Sequence, residues 1–405
     1  MLALVAVLAQ VTLASAPGVA QPTITAALAR AVPGDTVRVP AGVWREPTLR
    51  VRVPLVLLGA RGAILDGEGQ RELVVLEAPG VTVQGFTFRN TGRAYHEDRA
   101  AVHVNEVGDC VVRGNRFEAT FFAIYLQRTT GCTVVDNVII GIPDGEAATG
   151  NAIHSWGSSN LAVRNNRIRG HRDGIYLEFT RHAEVRGNAS ERNLRYGLHF
   201  MYADSSTYAD NAFVANGSGV AVMYSKVVAM HGNRFEHNRG ATAYGLLLKE
   251  IADVTLRGNR FTDNTTGLLA DGAERVAVED NTFEANGWGV RLLGSTTGGH
   301  FTGNRFRGNS FDVATNGRTT SATFAANWWD GYRGYDLDRD GTGDLPHHPV
   351  RLFALMVERS EPAMLLQRSF FTRVLDAAER VLPVLTPKDV VDATPRMRPT
   401  PGGVR

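Results

Sequence analysis

The sequence predicts an all-β fold: a right-handed parallel β-helix with coils of about 22 residues, a short N-terminal helical cap and a C-terminal helix. Asparagine recurs at 115, 137, 166, 188, 211, 233, 259, 281, 304 and 327, at intervals of 22, 29, 22, 23, 22, 26, 22, 23 and 23 residues. The segments between carry short apolar alternations rather than a helical period, and the L-x-x-L-x-L spacing of leucine-rich repeats is absent. The chain also holds 43 Gly, many beside Asn, as frequent tight turns require.

In a coil stack with a rise of about 4.8 Å, residues one period apart become neighbours along the axis. The column three before each Asn (Val112, Val134, Val163, Val185, Tyr208, Met230, Leu256, Val278, Phe301, Phe324) and the mostly Phe or Ile column two after it must face inward. The Asn column suits a turn in which Asn takes left-handed geometry while its amides stack through hydrogen bonds. Cys110 and Cys132 lie five before successive Asn residues and are expected as inward neighbours, either bridged by a disulfide or packed as thiols.

The ends follow from composition. Residues 1–20, apolar with small residues Ala14, Ser15 and Ala16, form a secretory signal, although the usual amino-terminal Lys or Arg is missing. Residues 21–60 supply a cap and first strands, with a short helix over 25–31. The coils occupy 61–330. Residues 331–349 hold an acidic loop, 350–385 a helical docking or capping segment with its helix over 361–385, and 386–405 a loose Pro-rich tail. No later stretch approaches ~18 consecutive apolar residues, so the exported chain is expected to be soluble. With 43 basic and 41 acidic residues, the chain lacks the electrostatic footprint of nucleic-acid binding.

Strand alternation places two columns outside. The first reads His103, Tyr125, His154, Tyr176, His199, Ala221, Leu247, Leu269 and Arg291, and the second Asn105, Gln127, Trp156, Glu178, Met201, Met223, Lys249, Asp271 and Leu293. His199 and Met201 thus share a face, and Met223 stands one coil above Met201. Thioether with imidazole is a donor set for Cu(I), with His154 joining if nearly 10 Å is bridged. Trp156, Tyr176, Glu178, Tyr202 and Tyr224 surround these donors. His171, His182, His231, His237 and His300 fall near turns and are expected in solvent. Extra residues at 89–99 (with His96), 141–150 and 239–244 enter along one edge, as loops framing a binding face do. Asp336, Asp338, Asp340, Thr342 and Asp344 with Gly341 have the spacing of a calcium loop, but His347 stands where a bidentate Glu would close it; any ion there would be structural.

Four stretches carry a family resemblance: VPGDTVRVPAGVWREP, LLGARGAILDGEG, YGLHFMYADSS with GVAVMYS, and NWWDGYRGYDLDRDGTGDLPHHP. The chain resembles the NosD family, periplasmic parallel β-helix accessory proteins for copper-site maturation of nitrous-oxide reductase. The resemblance implies a non-enzymatic protein that works beside an ABC transporter, permease and ATPase, accepts copper from a membrane-anchored chaperone and passes it to the reductase. It also implies that helix 361–385 docks on the transporter, an end cap being the rival. Two other classes compete: a β-helix polysaccharide lyase, epimerase or carbohydrate-binding protein, with Glu178 pressed into service as a base, and a metal-free scaffold.

Overall fold

The computed structural model describes residues 10–12, 23–93, 99–316, 321–359, 361–366, 369–381 and 390–399. The chain forms two compact units, residues 1–203 and 204–405. Each is a parallel β-solenoid in which consecutive strands belong to three different sheets.

In the first unit the sheets run from Gln10–Thr12 to Glu184–Arg186, from Gly42–Trp44 to Ala189–Glu191 and from Leu49–Val51 to Tyr196–Met201. The strands from Thr36 onward lie within residues 21–60, where the first strands are expected. The cap helix spans Ile24–Arg30; Thr23 caps it by accepting from the Ala26 amide, and Ile24 and Ala27 are buried. Glu46 accepts from the Ile24 and Thr25 amides at 2.7 and 2.9 Å, satisfying two of the helix's unpaired donors. Gln10–Thr12, inside the expected secretory segment, pairs in parallel with Thr36–Arg38; most of that segment lies outside the described residues.

Register follows the Asn period. Val112, Val134, Val163 and Val185 pair rung to rung, as do Phe117, Ile139, Ile168 and Ser190, and all are buried. Between them, Asn137 Oδ1 accepts from the Asn115 main-chain amide at 3.0 Å and from its side chain at 3.3 Å, while Asn137 Nδ2 donates to the Val112 carbonyl at 2.9 Å. Asn166 repeats this one coil on. The asparagines are not the left-handed residues. Positive φ falls one position earlier, at Gly114 (60°), Asp136 (56°) and Asn165 (55°), because the Asn side chain must turn inward to reach the neighbouring coil.

The second unit has the same three-sheet build, from Ser206–Ala209, Ala212–Val214 and Ser218–Met223 onward. Phe213, Phe235, Phe261, Phe283, Phe306 and Trp329 form a continuous buried ring stack with centroid spacings of 4.1 to 5.6 Å. Met230 lies in the core as expected. A second amide ladder, Asn216, Asn238, Asn264, Asn286 and Asn309, runs beside the first. The first ladder ends on the C-terminal segment. Asp392, fully buried, accepts from the Asn327 amide and side chain at 3.0 Å each and from Trp329 Nε1 at 3.1 Å. Residues 390–399, expected to be loose, are thus tied to the last coil, because the terminal rung of amides needs an acceptor.

The C-terminal helices differ from the expected single helix. An α-helix spans Leu352–Arg359, a 3₁₀ turn Glu361–Leu366 and a second α-helix Phe370–Val381. Pro362 lacks an amide donor and obstructs a continuing α-helix, so the path breaks there. Phe353, Ala354 and Val357 pack on Trp288, Phe311 and Ala314 and close the sheet face.

Replacing Asn259 by Ala leaves the Asn233 amides and the Met230 carbonyl without their partner. With each orphaned buried group costing about 1–3 kcal/mol, chemical denaturation should show a loss of at least ~3 kcal/mol. Exposed Arg257→Ala should cost under ~1 kcal/mol.

Candidate metal-binding face

The strand Tyr196–Met201 carries the central candidates. His199 pairs in register with Tyr176, and Met201 with Glu178. Below them His154 pairs with Tyr125 and Tyr176, and Tyr125 with His103. The period therefore builds a column of rings: His103 on Tyr125 at 4.9 Å, Tyr125 and His154 at 5.0 Å, His154 and Tyr176 at 5.0 Å, and Tyr176 on His199 at 4.6 Å and 12°.

This column is not the open face its alternation suggests. Tyr125, His154 and His199 are only 7%, 8% and 6% exposed. Residues entering each strand fold over the rings. Phe122 covers His154 at 5.3 Å, Tyr196 lies 4.8 Å from His199, and the Arg195 guanidinium sits over Tyr196 at 4.9 Å. The second column (Trp156, Glu178, Met201) stays half-buried, so the two columns form an inner layer of rings and an outer layer of donors.

Residues not anticipated from sequence organise the inner layer. Asp173, fully buried, binds Arg195 through two bonds of 2.9 and 2.5 Å, and its Oδ2 lies 3.6 Å from His199 Nδ1. Burial alone would raise the Asp173 pKa, but His199 and Arg195 hold it below the usual range, keeping the carboxylate ionised. The Arg195 Nη2 that approaches His199 Nδ1 at 3.4 Å is already bound to Asp173. His199 Nδ1 thus stands between the Arg195 guanidinium and the Asp173 carboxylate. His199 Nε2 is buried without a hydrogen-bond partner. Two residues on, Met201 Sδ accepts from the Tyr176 hydroxyl at 3.6 Å. Burial, then Glu178, raises the Tyr176 pKa, so that hydroxyl stays a donor. His154 offers a second unpartnered Nε2, its Nδ1 lying 3.5 Å from Asn151 Nδ2.

Met223 and Tyr224 lie in the second unit, Met223 half-buried at the end of Ser218–Met223 and Tyr224 exposed after it. Tyr202 in the first unit is also exposed. Cys110 and Cys132 are buried thiols without a bridge; the Cys110 amide donates to Cys132 Sγ at 3.4 Å and Thr129 Oγ1 lies 2.7 Å from it. Those contacts, Cys110 first, bring the Cys132 pKa down to about 7, and the Cys110 thiol is pushed up by the same pairing.

His171 is fully buried rather than solvated. Its amide donates to Asn193 Oδ1 at 3.1 Å, its Nδ1 lies 3.3 Å from the Gly150 carbonyl, and the 141–150 insertion folds over its ring. Arg93 joins that insertion by a 2.9 Å ion pair to Asp144, while His96 lies outside the described residues. In the acidic loop, Asp336, Asp338 and Asp340 bring carboxylate oxygens within 4.8 Å of one another. Their carboxylates also accept from loop amides, Asp336 from Gly341 at 3.0 Å, and Asp344 turns to the Leu337 amide at 2.7 Å. Three carboxylates gather there, with Asp344 bonded to an amide inside the loop and Thr342 in a main-chain bridge to Arg396.

The fold defines a parallel β-helix with a covered imidazole column and half-buried thioethers. At 18% identity it superposes on the A-module of the Azotobacter vinelandii mannuronan C-5 epimerase AlgE4 with a TM-score of 0.50, covering 73% of this chain and 86% of that one, a likeness of fold. A family described as periplasmic copper-binding protein (NosD) matches residues 142–334. The chain is 32% identical over 364 residues to the "Probable ABC transporter binding protein NosD" of Pseudomonas aeruginosa, covering 85% of this chain and 84% of the relative. To its namesake in Stutzerimonas stutzeri it is 28% identical over 385 residues, covering 89% and 86%. The chain belongs to the NosD family.

Burial of neutral imidazoles links this face to pH. Desolvation, then Arg172, takes the His154 pKa down to about 3, and desolvation takes that of His171 to about 4. The unfolded chain protonates both below about 6.5 while the folded chain does not, so their contribution is complete above that value and is lost as pH falls toward 4. Denaturant titrations from pH 7 to 4 should show a shallower loss for His154→Gln than for the parent; parallel slopes would contradict neutral burial.

Proposed function

We propose that this chain is a periplasmic accessory protein that accepts Cu(I) and relays it for maturation of nitrous-oxide reductase. Copper would come from a membrane-anchored chaperone, with an ABC transporter permease and ATPase as working partners. The observation that carries the reading is His199 Nε2, buried and unpartnered, on an imidazole whose other nitrogen faces Asp173. A carboxylate beside an imidazole raises its basicity toward a soft cation. Met201 two residues on adds a thioether, and an N,S donor set suits monovalent copper. His154 supplies a second unpartnered imidazole in the same column. Met223 follows Met201 by 22 residues in the sequence and offers a second thioether.

The covered column accounts for transient holding. Copper reaches His199 only where the Tyr196 and Arg195 cover gives way, and release reverses that movement. A lyase or epimerase reading with Glu178 as base fits less well, since the outer column around Glu178 holds Trp156 and Met201 rather than the basic side chains that would neutralise a uronate. Calcium at Asp336, Asp338 and Asp340 would hold the loop beside the C-terminal closure, a structural role.

Copper(I) titration against a chromophoric competitor chelator tests the site. The His199→Ala and Met201→Ala variants should each weaken binding at least ~10-fold, Met223→Ala should weaken it measurably, and Asp173→Asn should weaken it with the fold intact. Unchanged affinity in all four would leave a metal-free scaffold. Calcium, run in parallel, should be indifferent to these changes and lost in Asp338→Asn.

Docking is assigned to the C-terminal helices. Phe370 is 81% exposed, and Leu366, Phe371 and Val374 are also exposed. That apolar face would seat on the transporter permease. Co-purification with the transporter should fail for Phe370→Ser combined with Phe371→Ser while Cu(I) affinity stays at the parent value.

A further inference from the structure

The first unit carries a feature that copper binding does not require. At the turn following each strand of the ring column, the chain takes left-handed geometry at Glu106 (φ 58°), Arg128 (48°), Gly157 (64°), Phe179 (48°) and Tyr202 (53°). Such geometry is cheap for glycine or asparagine and an outlier for a bulky ring. Yet Phe179 and Tyr202 are 50% and 41% exposed, so core packing does not repay the strain. They stack on each other with centroids 5.0 Å apart and planes only 3° apart, a flat aromatic platform held out into solvent.

The surroundings give this platform a polarity. One coil below Phe179 the rung is Gly157, which has no side chain, and a Cβ built there would meet only Arg128 Cγ, at 3.5 Å. The lower face of the Phe179 ring therefore borders a missing rung. Glu178, the residue before Phe179, has a half-buried side chain in the outer column between Trp156 and Met201. No basic side chain among the described residues forms an ion pair with it. Elsewhere on this unit comparable settings are already filled. Arg128 lies over Trp156 at 4.8 Å while bound to Glu106 at 2.8 Å, and Arg195 lies over Tyr196 while bound to Asp173. In both, a guanidinium bridges an aromatic face and a carboxylate. At Phe179 the ring and the carboxylate are present and the guanidinium is not.

We infer that the Phe179 and Tyr202 platform with Glu178 is a recognition surface for a protein partner that inserts an arginine at the missing rung, its guanidinium on the Phe179 ring and against the Glu178 carboxylate. A planar, delocalised cation stacks on a ring face and meets a carboxylate through its N–H donors, which a compact ammonium does less well. The surface adjoins Met201, so a partner seated there would lie beside the outer donors. The inference stands without the copper reading.

The test uses the full chain with ¹³C-labelled Phe and Tyr rings, assigned by signals lost in Phe179→Leu and Tyr202→Leu, and N-acetyl-arginine methylamide as the probe. Saturable shifts of the Phe179 and Tyr202 rings are expected, weakened at least ~3-fold by Glu178→Gln and absent with the uncharged N-acetyl-citrulline methylamide. Equal response to citrulline, indifference to Glu178→Gln or no saturable shift would overturn the assignment. A response to a mannuronate oligomer but not to arginine would make the platform a saccharide surface and overturn it as well. Circular dichroism of the leucine variants, expected to match the parent, separates loss of the platform from loss of fold.

Discussion

The buried asparagine amide is the interaction on which the rest of this structure depends. Each Oδ1 accepts a main-chain and a side-chain N–H from one neighbouring coil, and each Nδ2 donates to a carbonyl. A buried amide with these partners in place is well satisfied; displaced by one residue, it would leave several polar groups unpaired in an apolar interior. The ladder therefore locks register. Locked register makes every other column continuous, the Phe stack of the second unit and the imidazole–tyrosine column of the first alike.

Once columns are fixed, the chemistry of a face is set by what covers it. In the first unit the Asp173–Arg195 pair is largely out of water, which is expensive unless its geometry is good and its remaining hydrogen-bonding sites are used. Here Asp173 also accepts from the Tyr196 amide at 3.3 Å and faces His199. The pair positions Tyr196 and His199 together, so one buried carboxylate orders both the proposed ligand and its cover. That arrangement suits a site that excludes water and still lets a cation pass.

Much of this was legible in the sequence because the signal is periodic. Val112 through Val185, Phe213 through Phe306 and the ring column from His103 to His199 all follow from counting residues between asparagines. The second amide ladder could have been found the same way, since Asn216, Asn238, Asn264, Asn286 and Asn309 keep the same spacing. What escaped counting is aperiodic. The burial of His171 depends on where the 141–150 insertion folds, and the burial of His154 and His199 on residues just before each strand. The left-handed residue precedes the asparagine because only that order aims the amide inward. Asp392 could not be recognised as the last rung, for it stands 65 residues beyond Asn327. The break at Pro362 was legible locally, but the apolar period across it masked the interruption.

The proposal of copper on soft donors is tested most directly by X-ray absorption at the copper edge of the Cu(I)-loaded protein. The account predicts a low-coordinate shell with sulfur and imidazole nitrogen, the sulfur signal diminishing in Met201→Ala and the imidazole signal in His199→Ala. A shell of oxygen neighbours alone, or one unchanged by both substitutions, would contradict it.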